Sequence, residues 1–425
     1  MIGFFGGTCN NLYVFAKVFA DAEIPVTFIL DRKDNFPHSQ PVWEDVDCCF
    51  RSGFDYQGID WDAFEIEHGW QRPSWYFVPE NTGNSAIEIF RKSSVNYLVR
   101  MVSSRFLRYR NDYASVFNKM LECDFLVVCG AEPAVLAMLS GKPYMIFPHG
   151  SDMRIAIGAE SKGRGLRCWL LDWLISRSFK LANCVGSTLP DASAEVPLSA
   201  YKRLKDLRVD RVPLPYPIQP RLSKDVRHGK LRLIFSELNI LLPSSELYAF
   251  APSRINFHWK GHDRLLEAIL ENRSNVNCHF IFLGWGDDYL QAIDYVDRNS
   301  LQDKVSVVPV FCSKEYLFRF YESVDFIVDE LNGSGSYGTS LSEAMSCGCP
   351  VMTWVSDMFD KPGWEAPPVI YAKTKKEIGS VLMELADGRI DLEEMSRQTT
   401  DWFSRVHGVS SVVDVFRAKF GKYLN

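Results

Sequence analysis

Short apolar runs alternate with stretches of helical periodicity twice over along this 425-residue chain. Runs of three to six mostly apolar residues read as buried parallel strands. In the first half they are Ile2 to Phe5, Val26 to Leu30, Phe125 to Cys129, Tyr144 to Phe147 and Cys184 to Gly186. In the second they are Leu247 to Ala251, His279 to Leu283, Val305 to Val310, Asp325 to Val328, Val351 to Trp354 and Val369 to Tyr371. Helical patterns separate them, so the expected fold class is α/β with two Rossmann-like doubly wound parallel sheets. The halves meet near Val212-Pro-Leu-Pro-Tyr-Pro-Ile218, where three prolines remove donors and stiffen the chain as an interdomain linker would. That divides the chain into residues 1–212, residues 213–396 and a helical tail, 397–425, patterned from Arg397 to Tyr423. Open sheets of this kind bind ligands outside their strands' carboxyl ends, so the cleft between the halves is the expected site.

Length suits two domains of roughly 200 residues each rather than one core. A 47% hydrophobic and 24% charged composition describes a soluble globular protein, and no run of about 18 uncharged apolar residues predicts a transmembrane helix. Met1-Ile-Gly-Phe-Phe-Gly-Gly lacks a basic segment before its apolar residues, so no signal peptide is expected. Eleven cysteines, mostly in apolar strand-like contexts and without paired zinc spacing, suit buried thiols in a reducing, cytoplasmic setting. A net charge of −6 argues against nucleic acid as the main partner.

The strongest candidate chemistry is Gly333-Ser-Gly-Ser-Tyr-Gly-Thr-Ser-Leu-Ser-Glu-Ala-Met345, after the strand-like Val324-Asp-Phe-Ile-Val328. A glycine loop leading into a helix near Thr339 aims backbone N–H groups at an anion. Glu343, a turn inside, is the carboxylate type that accepts hydrogen bonds from the vicinal hydroxyls of a ribose. Upstream, Ala249-Phe-Ala-Pro-Ser-Arg254 ends a strand in a cation, and Lys260-Gly261 follows after a short loop. Charge-assisted hydrogen bonds contribute about 1.5–3 kcal/mol each against about 0.3–1 kcal/mol for a helix terminus, so Arg254 and Lys260 should dominate affinity for a diphosphate.

Arg254 to Gly261, Phe282-Leu-Gly-Trp-Gly286, and Tyr337-Gly338 through Val351 together resemble the donor half of GT-B glycosyltransferases, nearest the retaining GT4-type enzymes (glycosyl transferases group 1). The resemblance implies that Arg254 and Lys260 hold the donor diphosphate and act on the departing group. It also implies that Glu343 binds the ribose, with Gly284, Gly335, Tyr337, Gly338, Thr339 and Ser340 completing the donor site. The family usually carries a second glutamate eight positions before the ribose one, touching the transferred sugar. Here that position is Gly335, with Asp329 and Glu330 just upstream as other sources of a carboxylate.

In the first half, Gly6-Gly7-Thr8-Cys9-Asn10-Asn11 follows the first strand and lacks the G-x-G-x-x-G spacing of a dinucleotide fold, despite Asp31 at the end of the second strand. Gly7 and either Asn10 or Asn11 are candidates for acceptor or sugar contact. The alternative for the asparagines is a tight turn with a helix cap. Pro148-His149-Gly150-Ser151-Asp152-Met153-Arg154 collects polar side chains at another strand end. Similar loops occur in GT-B relatives with the histidine near the donor sugar, so His149 is assigned to positioning the donor sugar or the transition state, Asp152 to orienting the loop or the acceptor, and Arg154 to an anionic group. Asp152 equally reads as a helix cap.

Arg91 to Arg110 carries six cations and no acid among Tyr97, Leu98, Val102, Phe106 and Leu107, a pattern fitting an anionic membrane surface or a solvated helix with a core face. Lys162 to Lys180, around Trp169 and Trp173, reads rather as a solvated helix. Asp45-Val46-Asp47 imitates a metal-binding D-x-D, but its setting looks like a loop, and with Arg254 and Lys260 present no metal or other cofactor is expected. Asp287-Asp288 reads as a helix start.

The function expected is transfer of a sugar from a nucleoside diphosphate sugar to a hydroxyl acceptor, a glycan or lipid-linked glycan. Retention follows from the resemblance. The alternatives are an epimerase or hydrolase of the same fold, or a degenerate GT-B protein that binds without transfer.

Overall fold

The computed structural model describes residues 1–6, 10–31, 35–83, 85–106, 110–148, 165–190, 204, 207, 209–333, 335 and 337–423. Two parallel sheets organise it. The first takes strands β1 Ile2–Phe5 and β2 Val26–Ile29, skips a short β3 at Cys49–Arg51, and continues with β4 Tyr76–Phe77, β5 Phe125–Val128, β6 Tyr144–Ile146, β7 Cys184–Ser187 and β8 Val209–Arg211. Its order is β4-β2-β1-β5-β6-β7-β8. The second takes β9 Leu247–Ala251, β10 Cys278–Leu283 and β11 Val305–Val308, then, after β12 Val310–Cys312, β13 Phe326–Val328, β14 Val351–Thr353 and β15 Ile370–Tyr371. Its order is β11-β10-β9-β13-β14-β15. Both orders reverse beside their first strand, creating a switch point between β1 and β5 and another between β9 and β13.

The apolar runs marked the central strands because these are buried on both faces. β1, β2, β5 and β13 contain only buried residues. The run Val305 to Val310 is not one strand. Pro309 has no N–H to continue the ladder, so β11 ends at Val308 and β12 turns away. β12 pairs antiparallel with β3, matching Val310 to Arg51, Phe311 to Phe50 and Cys312 to Cys49. The two halves therefore share a two-stranded ladder. It is extended by the Ser52 N–H donating to Pro309 O at 2.9 Å and the Ser313 N–H donating to Cys48 O at 2.9 Å.

The proline-rich stretch is not an exposed linker. Val212, Leu214 and Tyr216 are buried in the core shared by both halves, so the prolines stiffen a packed segment. The tail is two helices rather than one segment from Arg397. Leu392–Val406 is capped by Asp391, and Val409–Phe420 begins after a break at Gly408. His407, at the break, packs its ring on Phe403 and meets Leu214 O through Nδ1 at 2.9 Å. The last helix lies on the first sheet's side of the molecule: the Phe416 ring is 4.7 Å from that of Phe19 and 5.8 Å from that of Phe15.

Candidate functional site

The second switch point gathers the charged residues expected there. β9 runs out into Ser253 and Arg254, and a short helix, Phe257–Lys260, is capped by the Asn256 side chain. Gly261 then takes a left-handed φ of 73° where a Cβ would come within 3.0 Å of Asn332 N. That close approach, available only to glycine, lets the Lys260 loop pack on the chain leaving β13, where the Leu331 N–H donates to Lys260 O at 3.0 Å. Lys260 Nζ consequently lies 2.6 Å from Glu330 Oε1 and 3.6 Å from Asp329 Oδ1. Burial alone would lower the lysine's pKa, but the two carboxylates overcome it and raise it, so Lys260 is a fixed cation. Arg254 is exposed and forms no ion pair among the described residues.

Asp329 is anchored. Its Oδ2 accepts from Ser340 Oγ at 3.0 Å and its Oδ1 from the Glu330 N–H at 2.8 Å. Glu330 itself holds a left-handed φ of 51°, an uncommon conformation for a residue with a side chain and one that clusters at functional sites. Its carboxylate reaches the glycine loop: a Cβ on Gly338 would stand 3.1 Å from Glu330 Oε1. Gly338 precedes the helix Thr339–Ser346, whose N-terminus has no side-chain cap, leaving the first-turn amides of Thr339 and Ser340 for an anion beside Lys260 and Glu330.

Four expected donor contacts have other roles here. Tyr337 is a core residue, its ring stacked on Phe359 and its hydroxyl 3.1 Å from His407 Nε2. Gly335 is buried at a φ of 70°, and a Cβ would fall 2.4 Å from the Trp354 ring and 2.7 Å from Ser356 N, so no carboxylate fits at this position. Gly284 is required by packing, since a Cβ would meet Val308 O and Tyr289 at 2.8 Å. Glu343 is fully buried rather than presented to the cleft. Its Oε1 pairs with Lys314 Nζ, and its Oε2 accepts from the Tyr321 hydroxyl at 3.2 Å.

Lys314 connects Glu343 to a polar cluster contributed by the first half. Asn10, at a φ of 51°, does not cap its helix. Its Nδ2 donates to Gln40 O at 2.8 Å and to Glu44 Oε1 at 3.1 Å. Burial pushes Glu44 up to about 7, with Lys314 opposing and Glu343 adding to the rise. Burial, then Lys314, pushes His38 down to about 3. Asn11 is also buried, and its Oδ1 has no partner among the described residues. Gly7, His149, Asp152 and Arg154 lie outside the described residues.

Asp45 and Asp47 do not face one site. Asp45, in the short helix Val42–Asp45 rather than a loop, accepts from Tyr13, Lys17 and Trp70, while Asp47 pairs with Arg319 at 3.3 Å. Asp288 does precede a helix, Tyr289–Arg298, yet both aspartates also brace the Lys260 loop. Asp287 accepts from Asn256 Nδ2 at 2.9 Å and Asp288 from the Phe257 N–H at 2.7 Å. Beside them, Phe36, Phe50, Tyr56, Trp285, Tyr289 and Phe311 are half of the residues lining a recess of about 300 Å³ between the halves. Lys314, Glu44 and Trp354 were not signalled by any motif. Each acts through residues distant in sequence.

This arrangement can hold a dianion against Arg254, Lys260 and the Thr339 amides with a carboxylate alongside. Residues 248–361 match the family described as Glycosyl transferases group 1. No curated protein matches the chain. Among solved structures, Anabaena HepE in complex with UDP and glucose is 12% identical, with 99% of each chain covered and a TM-score of 0.61. Sucrose-phosphate synthase from Thermosynechococcus elongatus is 14% identical over 99% of each chain, with a TM-score of 0.57. S. aureus TarM, in complex with fondaparinux, alpha-GlcNAc-glycerol and UDP, is 11% identical over 100% of this chain and 99% of its own, also at 0.57. Residues 248–361 are thus similar to the group 1 glycosyl transferases, and by its two sheets the whole chain has the GT-B fold of these solved structures.

Proposed function

We propose that this protein transfers a sugar from a nucleoside diphosphate sugar to a hydroxyl of a glycan or lipid-linked glycan, with retention and with no metal ion required. The observation that carries the reading is Lys260, fixed at the second switch point beside an uncapped helix start. As the bond from the anomeric carbon to the diphosphate oxygen breaks, charge accumulates on the diphosphate. Arg254, Lys260 and the Thr339 and Ser340 amides stabilise it there. The acceptor oxygen bonds to the anomeric carbon, and its proton passes to the departing phosphate oxygen. The sugar contact that a carboxylate at position 335 would make falls to Glu330, since Trp354 fills the space at Gly335 and Glu330 reaches the same loop. His149 is assigned to the donor sugar, and Gly7, Asn11 and Arg154 to the acceptor side.

UDP is the first probe, since Anabaena HepE was crystallised with it. GDP, ADP and CMP serve as comparisons, each with and without magnesium. We expect magnesium-independent binding of one nucleoside diphosphate, weakened at least about tenfold, or about 1.4 kcal/mol, by Lys260→Ala. Unchanged affinity in that variant would refute the site.

A second reading, binding without transfer, is favoured by Gly335, where the Trp354 ring leaves no room for the carboxylate that the resemblance sets against the transferred sugar. Tight nucleotide binding with no product across a broad acceptor screen would select it. Rapid loss of donor without any acceptor would select hydrolysis or epimerisation.

A further inference from the structure

The two basic segments of the first half, separate in sequence, are neighbours in the fold. Helix Ser85–Lys92 packs against helix Tyr97–Phe106, which in turn packs against helix Leu166–Leu181. Their inward side chains, among them Ile89, Val99, Leu174 and Phe179, join a core that contains no residue of the second sheet. The second half therefore does not cover this side of the first sheet. Ile87, Tyr97, Leu98, Met101, Leu166, Trp169 and Leu181 are all exposed, between 44% and 71%. They are seven of the sixteen large apolar residues exposed among the described residues, gathered on three adjoining helices. Scattered singly they would need no explanation, but gathered on one face they mark an interaction surface.

The charge on these helices selects the partner. Arg91, Lys92, Arg177 and Lys180 are exposed cations, with Arg177 lying 5.8 Å over the Trp173 ring. Of the two acids, Glu88 is spoken for by Lys92 and Asn118, and Asp172 is only half-exposed. Arg110, at the end of the first basic segment, is not part of this face: it is held by Asp31 and Asp112 beneath it. Exposed Trp, Tyr and Leu interleaved with cations on helices lying side by side is the composition that seats in the headgroup boundary of an anionic bilayer.

We propose that the outer faces of helices Tyr97–Phe106 and Leu166–Leu181 form one docking surface for an anionic lipid bilayer, held by apolar insertion and by cation attraction together. The inference is independent of what the cleft catalyses.

The test is co-sedimentation of the full chain with phosphatidylcholine vesicles with and without phosphatidylglycerol. Partitioning should be at least about tenfold stronger on the anionic vesicles and should weaken as salt rises. Leu98→Ser with Leu166→Ser should abolish most of it at constant charge, and Arg177→Glu with Lys180→Glu should do so at constant apolar area. All four sites are exposed, so unfolding curves matching the parent's will separate lost docking from lost folding. Equal partitioning on both vesicle types, or loss only on charge reversal, overturns the proposal, the latter outcome marking plain electrostatic adsorption.

Discussion

Glu44 and His38 are half-buried at the contact between the halves and carry opposite protonation costs. Glu44 titrates about 7 in the folded chain against an ordinary 4.5, so the folded state keeps its proton longer than the unfolded one. Stability is therefore lost as pH rises from about 4.5 to about 7. His38 is pushed down to about 3 from 6.5, so its contribution is present above about 6.5 and is lost as pH falls towards 3. The two slopes oppose each other between about pH 4.5 and 6.5. Glu44→Gln removes only the first, and chemical denaturation should show the variant gaining about 2 kcal/mol on the parent between about pH 5 and pH 8. Parallel stability curves would mean that Glu44 is not buried in this contact. Sequence composition marks neither residue, because their shifts come first from burial in the fold, and the charges that modulate it, Lys314 and Glu343, lie some 270 to 300 positions away.

At the scale of elements, the stretch between β2 and β4 is the least Rossmann-like part of the first half. It builds its own small core from Val42, Trp43, Val46, Trp61 and Phe64, and Phe311 from the second half packs against it. Its strand β3 then pairs with β12, fastening one half to the other at the aromatic recess. Ser52→Pro removes the N–H that donates to Pro309 O and should cost about 1 kcal/mol. Amide exchange across 48–52 and 310–313 should accelerate about fivefold. Unchanged exchange would show that side-chain packing alone holds the strap. Strands of two or three half-buried residues such as β3, β4 and β8 leave no apolar run, which is why periodicity passed over them.

At the scale of the molecule, the largest core cluster joins residues of both halves and of the tail, from Ile2 to Phe420. The final helix contributes Phe416, fully buried against Phe15 and Phe19, and Phe420, whose ring lies 4.5 Å from that of Phe125. Phe416→Ala should destabilise the chain by about 3–5 kcal/mol, read as a lower urea midpoint of one cooperative transition. A separate early transition would show that the tail detaches from a core that stands without it.

Sequence by itself determined the two parallel sheets, since strands buried on both faces must be continuously apolar. It also placed Arg254, Lys260 and the helix after Gly338 at one strand edge, because these lie within a few residues of strands whose order follows from simple crossover rules. Only the tertiary structure decided how the nearby carboxylates are held. Glu343 is withdrawn by Lys314 and Tyr321, Gly335 is shut by Trp354, and Glu330 is paired with Lys260 beside the glycine loop. Likewise only packing brought two distant basic helices onto one face. The physical reason is common to these cases: local propensity and periodicity act over a turn or a strand, whereas accessibility depends on side chains tens to hundreds of residues away.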